Sequence, residues 1–274
     1  MDHFKPTIIR NTSIAQNYFE LEFTWPSHSV PLPGQFLTLR IADQISPLLR
    51  RPFAFSGFNK EDRTASIIYE KRGPATSILS AQLPGEALDV IGPLGNSFPA
   101  PINDNRPVLV AGGVGMGPMF FLAEDFLKHN IHPLLFLGAR TKAFIPDLDL
   151  FQKVQTLIST DDGTAGFSGT SVSCFQHYLE THENHQKVSG YEVYACGPNP
   201  MMQALDRFSR NQSWPTWLSM EQTMGCAVGA CMGCVVKVIT NTPPPQGFAY
   251  ARVCTEGPIF PGHTLIWEEN HGQQ

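Results

Sequence analysis

The sequence predicts a mixed fold: an all-β region, then an α/β region, then a small cysteine-rich module. Three observations support this. The first part of the chain has short β-type runs between turn residues, the middle alternates apolar strand runs with helical stretches, and four of the six cysteines stand close together near the end. The chain has 274 residues and is 42% hydrophobic, which suits two or three domains with their own cores.

Residues 1–102 are expected to form a small antiparallel β-barrel. Short β-branched and aromatic runs occur at residues 7–10, 18–23, 36–40 and 66–69. Turn residues separate them, for example at 31–34, 59–62 and 83–85. The 23 prolines and 23 glycines of the chain also favour short strands over a helical bundle.

Residues 103–215 are expected to form an α/β domain with a parallel sheet. Apolar strand runs are predicted at 108–111, 133–138, 154–158 and 192–195, and helices at 119–129, 172–179 and 200–207. Strands that alternate with helices in this way are typical of β-α-β units.

A glycine-rich loop at residues 112–118 follows the first of these strands and opens the first helix. Glycines let the backbone approach a pyrophosphate, and the helix N-terminus supplies N–H groups and partial positive charge. The alternative is a tight strand–helix turn, because the pattern G-x-G-x-G-P departs from the usual dinucleotide fingerprint. We predict nucleotide binding by Gly112, Gly113, Gly115, Gly117 and Pro118.

Cys196, Gly197 and Pro198 end the last predicted strand of the same region. The carboxyl ends of parallel strands face the ligand crevice of such folds. These three residues are therefore predicted to contact the same nucleotide, although the tripeptide by itself is also an ordinary turn.

Cys226, Cys231, Cys234 and Cys254 are predicted to bind a metal centre. Their spacing is C-x4-C-x2-C, then 19 residues, then the fourth cysteine. This is the plant-type spacing for a [2Fe–2S] cluster, which passes single electrons. A structural zinc site would usually show two C-x2-C pairs or histidine partners, and a disulfide framework suits small secreted chains. The cysteines therefore predict an iron–sulfur module.

Charge and hydropathy exclude several classes of function. The net charge is −5 and no run of Lys or Arg occurs, which argues against nucleic-acid binding. No stretch resembles a signal peptide or a membrane-spanning helix. The expectation is a soluble cytoplasmic protein, whose thiols stay reduced and available to iron.

Together these motifs resemble a known family. The ordered set is Arg51-Pro52, Tyr69 with Gly73 and Thr76, Gly92-Pro93-Leu94-Gly95, the 112–118 loop, Cys196-Gly197-Pro198 and the four cysteines. This set resembles the ferredoxin–NADP reductase superfamily. Within it, segments 219–234 and 252–260 look like the electron-transfer subunits of NAD-dependent dihydroorotate dehydrogenase B. The resemblance runs from about residue 7 to residue 260.

The resemblance implies an FAD-binding barrel over 1–102, an NAD-binding domain over 103–215 and a [2Fe–2S] module over 216–274. The chain departs from the family at three positions. Ala54 stands where the family usually has Ser, Glu70 where it has a basic residue, and Ala75 where it has Gly. From chemistry alone, Arg51 could meet a diphosphate or be a solvated arginine on an edge strand. The FAD contacts that the resemblance implies are Arg51, Pro52, Phe53, Ala54, Ile68, Tyr69, Glu70, Ala75 and Thr76.

The implied function is electron transfer from an FMN-containing dihydroorotate dehydrogenase catalytic subunit, through [2Fe–2S] and FAD, to NAD+ in pyrimidine (UMP) biosynthesis. The implied assembly is a heterotetramer of two subunits of each kind. No catalytic side chain is expected, because the protein supplies distance, orientation and potential rather than acid–base chemistry. Asp161 and Asp162 after the third strand favour NAD over NADP, while Arg140 after the second favours NADP.

Two alternatives stay open at this point. The chain could be the reductase subunit of a hydrogenase, a sulfide reductase or a ferredoxin-linked transhydrogenase, which would share the cofactors and differ in the partner. It could also be a structural or regulatory subunit with decayed cofactor sites, as Ala54, Glu70 and Ala75 would suggest.

Overall fold

The structure is a computed structural model that describes residues 1–41, 46–102, 104–182, 190–240 and 247–267. Residue 103, the first of the predicted second domain, and residues 268–274 of the predicted third lie outside the described residues. No helix in the described ranges is both long enough and apolar enough to cross a membrane.

Seven antiparallel strands form the first sheet, in the order β1-β7-β4-β5-β6-β3-β2. A bridge between Thr7 and Ala87 and a hydrogen bond from Ile8 N to Glu86 O bring the two ends of this order together. The sheet therefore curls into the expected barrel. Its strands are β1 (Asp2–Phe4), β2 (Ile8–Ala15), β3 (Tyr18–Thr24), β4 (Phe36–Arg40), β5 (Arg51–Asn59), β6 (Thr64–Glu70) and β7 (Asp89–Leu94).

The alternation in β3 separates the inside of the barrel from its outside. Leu21 and Phe23 are fully buried in the barrel core. Glu20 and Glu22 face the other way and pair with Arg10 of β2. Successive side chains of a strand point to opposite faces, so this one strand supplies both the core and the charged outer surface.

The second sheet has the order β11-β10-β9-β8-β12-β13-β16, parallel except for the pair β13–β16. Val108, Leu109 and Val110 of β8 are fully buried, as expected of a parallel strand covered on both faces. The strands are β8 (Arg106–Gly112), β9 (Leu134–Ala139), β10 (Gln155–Thr160), β11 (Phe167–Ser168), β12 (Tyr191–Cys196), β13 (Thr216–Ser219) and β16 (Ile259–Pro261), and the helices are α2 (Met116–Lys128), α3 (Leu150–Lys153), α4 (Ser171–His182) and α5 (Asn199–Asn211).

A two-stranded hairpin, β14 (Val235–Ile239) with β15 (Phe248–Arg252), lies between β13 and β16 in the chain. Because β13 and β16 belong to the second sheet, that sheet continues into the range that the sequence analysis assigned to the cluster module. The division of the chain at 215/216 stays a prediction.

Two short helices were not predicted from the sequence: α3, and one that follows the barrel strand β6. The helix α1 (Pro74–Ser80) follows β6, and Pro74 stands in its first turn, where a missing N–H costs nothing. The hydroxyl oxygen of Thr76 accepts hydrogen bonds from the backbone N–H groups of Arg72 (2.9 Å) and Gly73 (3.2 Å). These bonds order the turn that leads from the barrel strand into the helix.

Candidate functional site

A cavity of about 610 Å³ lies where the barrel strands β5 and β6 meet the carboxyl ends of β8, β9 and β12. Strand β8 is flanked by β9 on one side and β12 on the other, so the cavity sits at the switch point of the sheet. Its volume is within the usual range for small-molecule sites. The predicted residues that line it are Pro52, Phe53, Ala54, Ile68, Tyr69, Glu70, Thr76, Gly112, Gly113, Gly115, Pro118, Cys196, Gly197 and Pro198.

Three predicted contacts do not line the cavity: Arg51, Ala75 and Gly117. The Arg51 guanidinium donates to the Leu49 carbonyl at 2.7 Å, and Ala75 is a buried residue of α1. A Cβ built at Gly117 would lie 3.4 Å from Cβ atoms of Ile68 and Ser56. Gly117 therefore faces the barrel strands, with room for a methyl group at ordinary contact distance.

The barrel wall of the cavity is held rigid by Tyr69. Its hydroxyl donates to Asn11 Oδ1 at 2.9 Å, and its ring stacks on Phe19 with centroids 5.6 Å apart. Burial raises the pKa of Tyr69, which keeps the phenol neutral and able to donate. Asn11 in turn donates to the carbonyls of Leu79 and Gln82 behind α1.

The cavity contains charges of both signs that the sequence analysis only partly identified. Glu70, Asp161 and Glu221 bring carboxylates to its lining, and Arg72 and Arg140 bring guanidinium groups. Arg72 places a cation on the same wall as Glu70. The sequence does show two basic residues, Lys71 and Arg72, directly after β6. It does not show that the side chain of Arg72 lines the cavity.

The glycine loop is packed against the end of β12. A Cβ at Gly115 would lie 2.2 Å from the carbonyl oxygen of Cys196, and one at Gly112 would lie 2.6 Å from Met201 Sδ. Gly113 has a φ of +55°, a left-handed conformation that glycine adopts without strain. The two motifs predicted separately, the loop and Cys196-Gly197-Pro198, are thus in contact.

Cys196 of β12 lies opposite Ser219 of β13 in the parallel pair. Burial raises the pKa of the Cys196 thiol to about 12, a hydrogen bond with Ser219 opposes this, and the charge of Glu221 adds to it. The thiol is therefore neutral near pH 7. Sequence reasoning did not identify the segment after β13 as part of the cavity, although Ser219, Met220, Glu221, Gln222 and Met224 all line it.

The cysteine loop begins directly after this segment. The N–H of Cys231 donates to Cys226 Sγ at 3.3 Å. Backbone N–H groups of Val228 and Cys231 are the main reasons that the pKa of Cys226 falls to about 6. Burial, followed by the neighbouring Cys234 sulfur, raises the pKa of Cys254 to about 11.

Cys231 is hydrogen-bonded to Cys226, and Cys254 has the sulfurs of Cys234 and Cys226 close by. Among the described residues, no group of three or more His, Cys, Asp or Glu side chains is arranged around a single metal ion. A [2Fe–2S] cluster is held by four cysteine thiolates on two irons. The loop and its closing segment supply four free cysteines, so the chemistry of the donor set fits that cluster.

Backbone geometry leaves room for a cluster on this loop. Ala227, Gly229 and Met232 have positive φ angles of 61°, 84° and 55°, which curl the loop tightly. A Cβ at Gly225 or Gly233 would lie 3.4 or 3.6 Å from Cys231 Sγ, so both glycines adjoin that sulfur.

A clasp formed by Arg252 and Glu256 closes the loop from the fourth cysteine's side. Arg252 Nε donates to both Glu256 oxygens, at 3.1 and 2.9 Å, and Arg252 Nη1 donates to the Gly229 carbonyl at 3.0 Å. The Arg252 guanidinium lowers the pKa of Glu256 to about 2. Sequence reasoning missed both residues because only the fold brings Arg252 to Gly229.

The two aspartates after β10 have different surroundings. Asp162 Oδ1 accepts hydrogen bonds from Thr164 N (3.0 Å) and Thr164 Oγ1 (2.6 Å), which lowers the Asp162 pKa. Asp161 lines the cavity instead. Arg140 also lines it, with its guanidinium carbon 6.0 Å from the ring centre of Phe144.

Two family descriptions match the chain. "Iron-sulfur cluster binding domain of dihydroorotate dehydrogenase B" matches residues 221–266, and "Oxidoreductase NAD-binding domain" matches residues 109–207. These matches cover the cysteine loop with its closing segment and most of the second sheet. They agree with the iron–sulfur and NAD assignments made from the motifs.

Among solved structures, the NADH-dependent reduced ferredoxin–NADP oxidoreductase is similar with a TM-score of 0.79 and 25% identity, over 96% of this chain and 90% of that one. Phthalate dioxygenase reductase is similar in fold with a TM-score of 0.61 and 19% identity, over 92% and 77%. The predicted ferredoxin-reductase-like fold is thereby confirmed.

Two curated relatives match over nearly their whole length. The dihydroorotate dehydrogenase B (NAD(+)) electron transfer subunit of Geobacillus sp. (strain WCH70) is 36% identical over 95% of this chain and 97% of its own. The protein of the same name from Desulforamulus reducens is 31% identical over 97% and 98%. The chain belongs to the family of dihydroorotate dehydrogenase B (NAD(+)) electron transfer subunits.

Proposed function

We propose that this chain carries electrons from a dihydroorotate-oxidising subunit, through a [2Fe–2S] cluster and FAD, to NAD+. The observation that carries the proposal is that one continuous path connects the three predicted binding sites. A single cavity joins the barrel wall, the glycine loop and the segment 219–224, and that segment leads directly into the first cysteine of the loop. Two cofactors and a nucleotide bound along this path would be neighbours.

A flavin exchanges electrons singly or in pairs, so FAD connects a one-electron cluster to a two-electron nicotinamide. The residues of the chain bind and orient. Pro52, Phe53 and Ala54 provide the barrel wall for the flavin, together with Ile68, Tyr69 and Glu70. Arg72 places a positive charge on the same wall, where it favours a diphosphate.

For the nucleotide, the loop from Gly112 to Pro118 offers close backbone approach at the N-terminus of α2. Cys196, Gly197 and Pro198 complete that wall, with a thiol that stays neutral near pH 7. Asp161 supports NAD over NADP because a carboxylate accepts ribose hydroxyls and repels a 2′-phosphate. We assign the cluster to Cys226, Cys231, Cys234 and Cys254.

The proposed partner is an FMN-containing dihydroorotate dehydrogenase catalytic subunit, in a heterotetramer with two copies of each chain. Cys231 is exposed, and its neighbours Val228 and Met232 are 41% and 53% exposed, which supports a partner that approaches the loop.

The proposed setting is the cytoplasm, where the thiols stay reduced. The proposed pathway role is pyrimidine biosynthesis, and the proposed domains are 1–102, 103–215 and 216–274.

The test uses the chain purified together with the FMN-containing subunit of the same organism. The wild-type complex is expected to contain flavin and iron and to reduce NAD+ with dihydroorotate. Cys231→Ser is expected to abolish that coupled reaction while NADH oxidation by a flavin-reactive dye continues. Cys174→Ser, at a buried cysteine outside the loop, is the control and should keep both activities. Full coupled activity in Cys231→Ser would contradict the proposed route.

One observation favours a second candidate, a ferredoxin-linked reductase. The similarity to the NADH-dependent reduced ferredoxin–NADP oxidoreductase covers 96% of this chain. Reduction of NAD+ by reduced ferredoxin, without any response to dihydroorotate, would favour that function. A colourless protein without iron would instead indicate a structural subunit with decayed sites.

A further inference from the structure

Asn96 makes an unusual number of hydrogen bonds to one distant segment of the chain. Its Nδ2 donates to the carbonyls of Glu256 (3.0 Å) and Ile259 (2.9 Å), and its Oδ1 accepts from Ile259 N at 2.9 Å. Its own backbone N–H donates to the Gly257 carbonyl at 2.7 Å. Asn96 therefore binds the 256–259 segment by four hydrogen bonds.

The bound segment begins just behind the fourth cysteine. Glu256 is two residues after Cys254, and Ile259 opens β16, which pairs with Ser219 of β13. The carbonyl of Pro258 also accepts a hydrogen bond from Met220 N at 2.8 Å. The segment 256–259 therefore follows the fourth cysteine and also bonds to Met220, which lines the cavity.

On the barrel side, Asn96 is attached to the wall predicted to hold the flavin. It follows β7, where Leu94 is registered with Phe36 of β4, and Phe36 is registered with Ala54 of β5. Gly95 has a φ of +73°, and a Cβ there would lie 2.5 Å from Pro258 Cδ. The barrel and the segment 256–259 therefore meet without space for adjustment at this point.

We propose that Asn96 is the positioning residue that fixes the distance between the [2Fe–2S] cluster and the flavin; this rests on the proposed function. Asn96 does not line the cavity. Toward the cluster, it acts through its bond to Glu256, two residues after Cys254. Toward the flavin, it acts through β7, which pairs with β4, which in turn pairs with β5. Its side chain connects the end of β7 to the carbonyl of Glu256, two residues after the cysteine Cys254.

The test compares Asn96→Ala with Asn59→Ala in the purified complex. Asn59 also makes three side-chain hydrogen bonds, to Asp62 Oδ2, Glu61 N and Asp62 N, but all lie within the turn between β5 and β6. Stopped-flow mixing with NADH follows flavin bleaching and cluster reduction separately. Asn96→Ala is expected to keep the flavin rate and to slow cluster reduction by roughly ten- to a hundredfold, the effect of a small misplacement of reacting groups.

A second readout does not depend on electron transfer. Hydrogen exchange at the Ile259 amide is expected to accelerate about tenfold or more in Asn96→Ala, because its acceptor is removed. Neither readout should change in Asn59→Ala. If Asn96→Ala does not fold, Asn96→Asp decides by the rate of cluster reduction, since it keeps the size and the acceptor for Ile259 N but loses the donor to two carbonyls.

Wild-type rates of cluster reduction in Asn96→Ala, or flavin and cluster rates that fall together, would overturn the assignment. Wild-type protein that shows no NADH-dependent reduction of either group would instead contradict the proposed function. The two failures are therefore distinguishable.

Discussion

Gly115 and Gly117 stand two residues apart in one motif, yet only one of them excludes a side chain. Gly115 has a φ of −62°, which any residue adopts, but its Cβ would lie 2.2 Å from the Cys196 carbonyl. At Gly117 the nearest atoms would be 3.4 Å away, an ordinary contact. The sequence pattern does not distinguish these two glycines. The packing of the loop against β12 does, because it leaves no room for a side chain at Gly115.

Gly115→Ala is therefore expected to lower the free energy of unfolding by about 1–3 kcal/mol and to raise the KM for NADH, since the loop must move away from β12. Gly117→Ala is the matched control, expected to change stability by about 0.5 kcal/mol or less. Urea unfolding and NADH kinetics with a dye acceptor measure both. Equal effects of the two substitutions would contradict the packing argument.

At the residue scale, the sequence could predict the groups whose chemistry is written in local spacing. The four cysteines and the glycines of the 112–118 loop are of this kind. Asn11, Asn96 and Arg252 could not be predicted, because their partners are distant in the chain. Asn96, for example, bonds to Ile259, which is 163 positions away.

At the element scale, the longer buried strands were predicted from their apolar or alternating runs, because burial on one or both faces leaves a clear period. They are β2, β3, β4 and β6 of the barrel and β8, β9, β10 and β12 of the parallel sheet. Helix α1 was missed, since its seven residues are too few for a helical period and its start depends on hydrogen bonds to Thr76. Strand β13 was not predicted, and its residues were assigned to the start of the cysteine module. Only its pairing with β12 attaches it to the parallel sheet.

The clasp between β15 and the cysteine loop should depend on pH. The pKa of Glu256 is about 2 in the folded protein against an ordinary 4.5, so its contribution is complete above about 4.5 and lost as the pH falls toward 2. Because this pair is partly exposed, Glu256→Gln should cost about 0.5 kcal/mol or less at pH 7.

Urea unfolding at pH 7 and pH 3.5 tests the pH dependence of the clasp. The difference between wild type and Glu256→Gln is expected to narrow at the lower pH. Glu61→Gln, in the exposed turn between β5 and β6, should show no such difference at either pH. A difference that grows on acidification would show that the pairing with Arg252 is not its cause.

At the scale of the whole molecule, the cavity exists because a barrel, the carboxyl edge of a parallel sheet and the segment before the cysteines meet at one place. Local patterns predicted each of these parts. They could not predict how closely the parts approach, because that depends on side chains buried between them. Glu192 is such a side chain.

Glu192 is fully buried and joins the connection between the two sheets to the neighbouring strand β13. Its Oε2 accepts from Ile102 N at 2.6 Å and its Oε1 from Trp217 Nε1 at 2.8 Å. Ile102 ends the predicted barrel range, and Trp217 lies on β13. A glutamine can offer an oxygen to only one of these donors, so Glu192→Gln leaves a buried N–H facing an amide N–H.

Glu192→Gln is therefore expected to lower the free energy of unfolding by about 1–3 kcal/mol. Because Ile102 is released, the barrel and the parallel sheet should also unfold less cooperatively. Urea unfolding followed by Trp fluorescence and by far-UV circular dichroism is expected to give separate midpoints in the variant and one midpoint in wild type. Glu180→Gln, on the exposed face of α4, should behave as wild type. Coincident transitions at the wild-type midpoint in Glu192→Gln would mean that this carboxylate does not couple the two sheets, and that packing across the cavity is sufficient to do so.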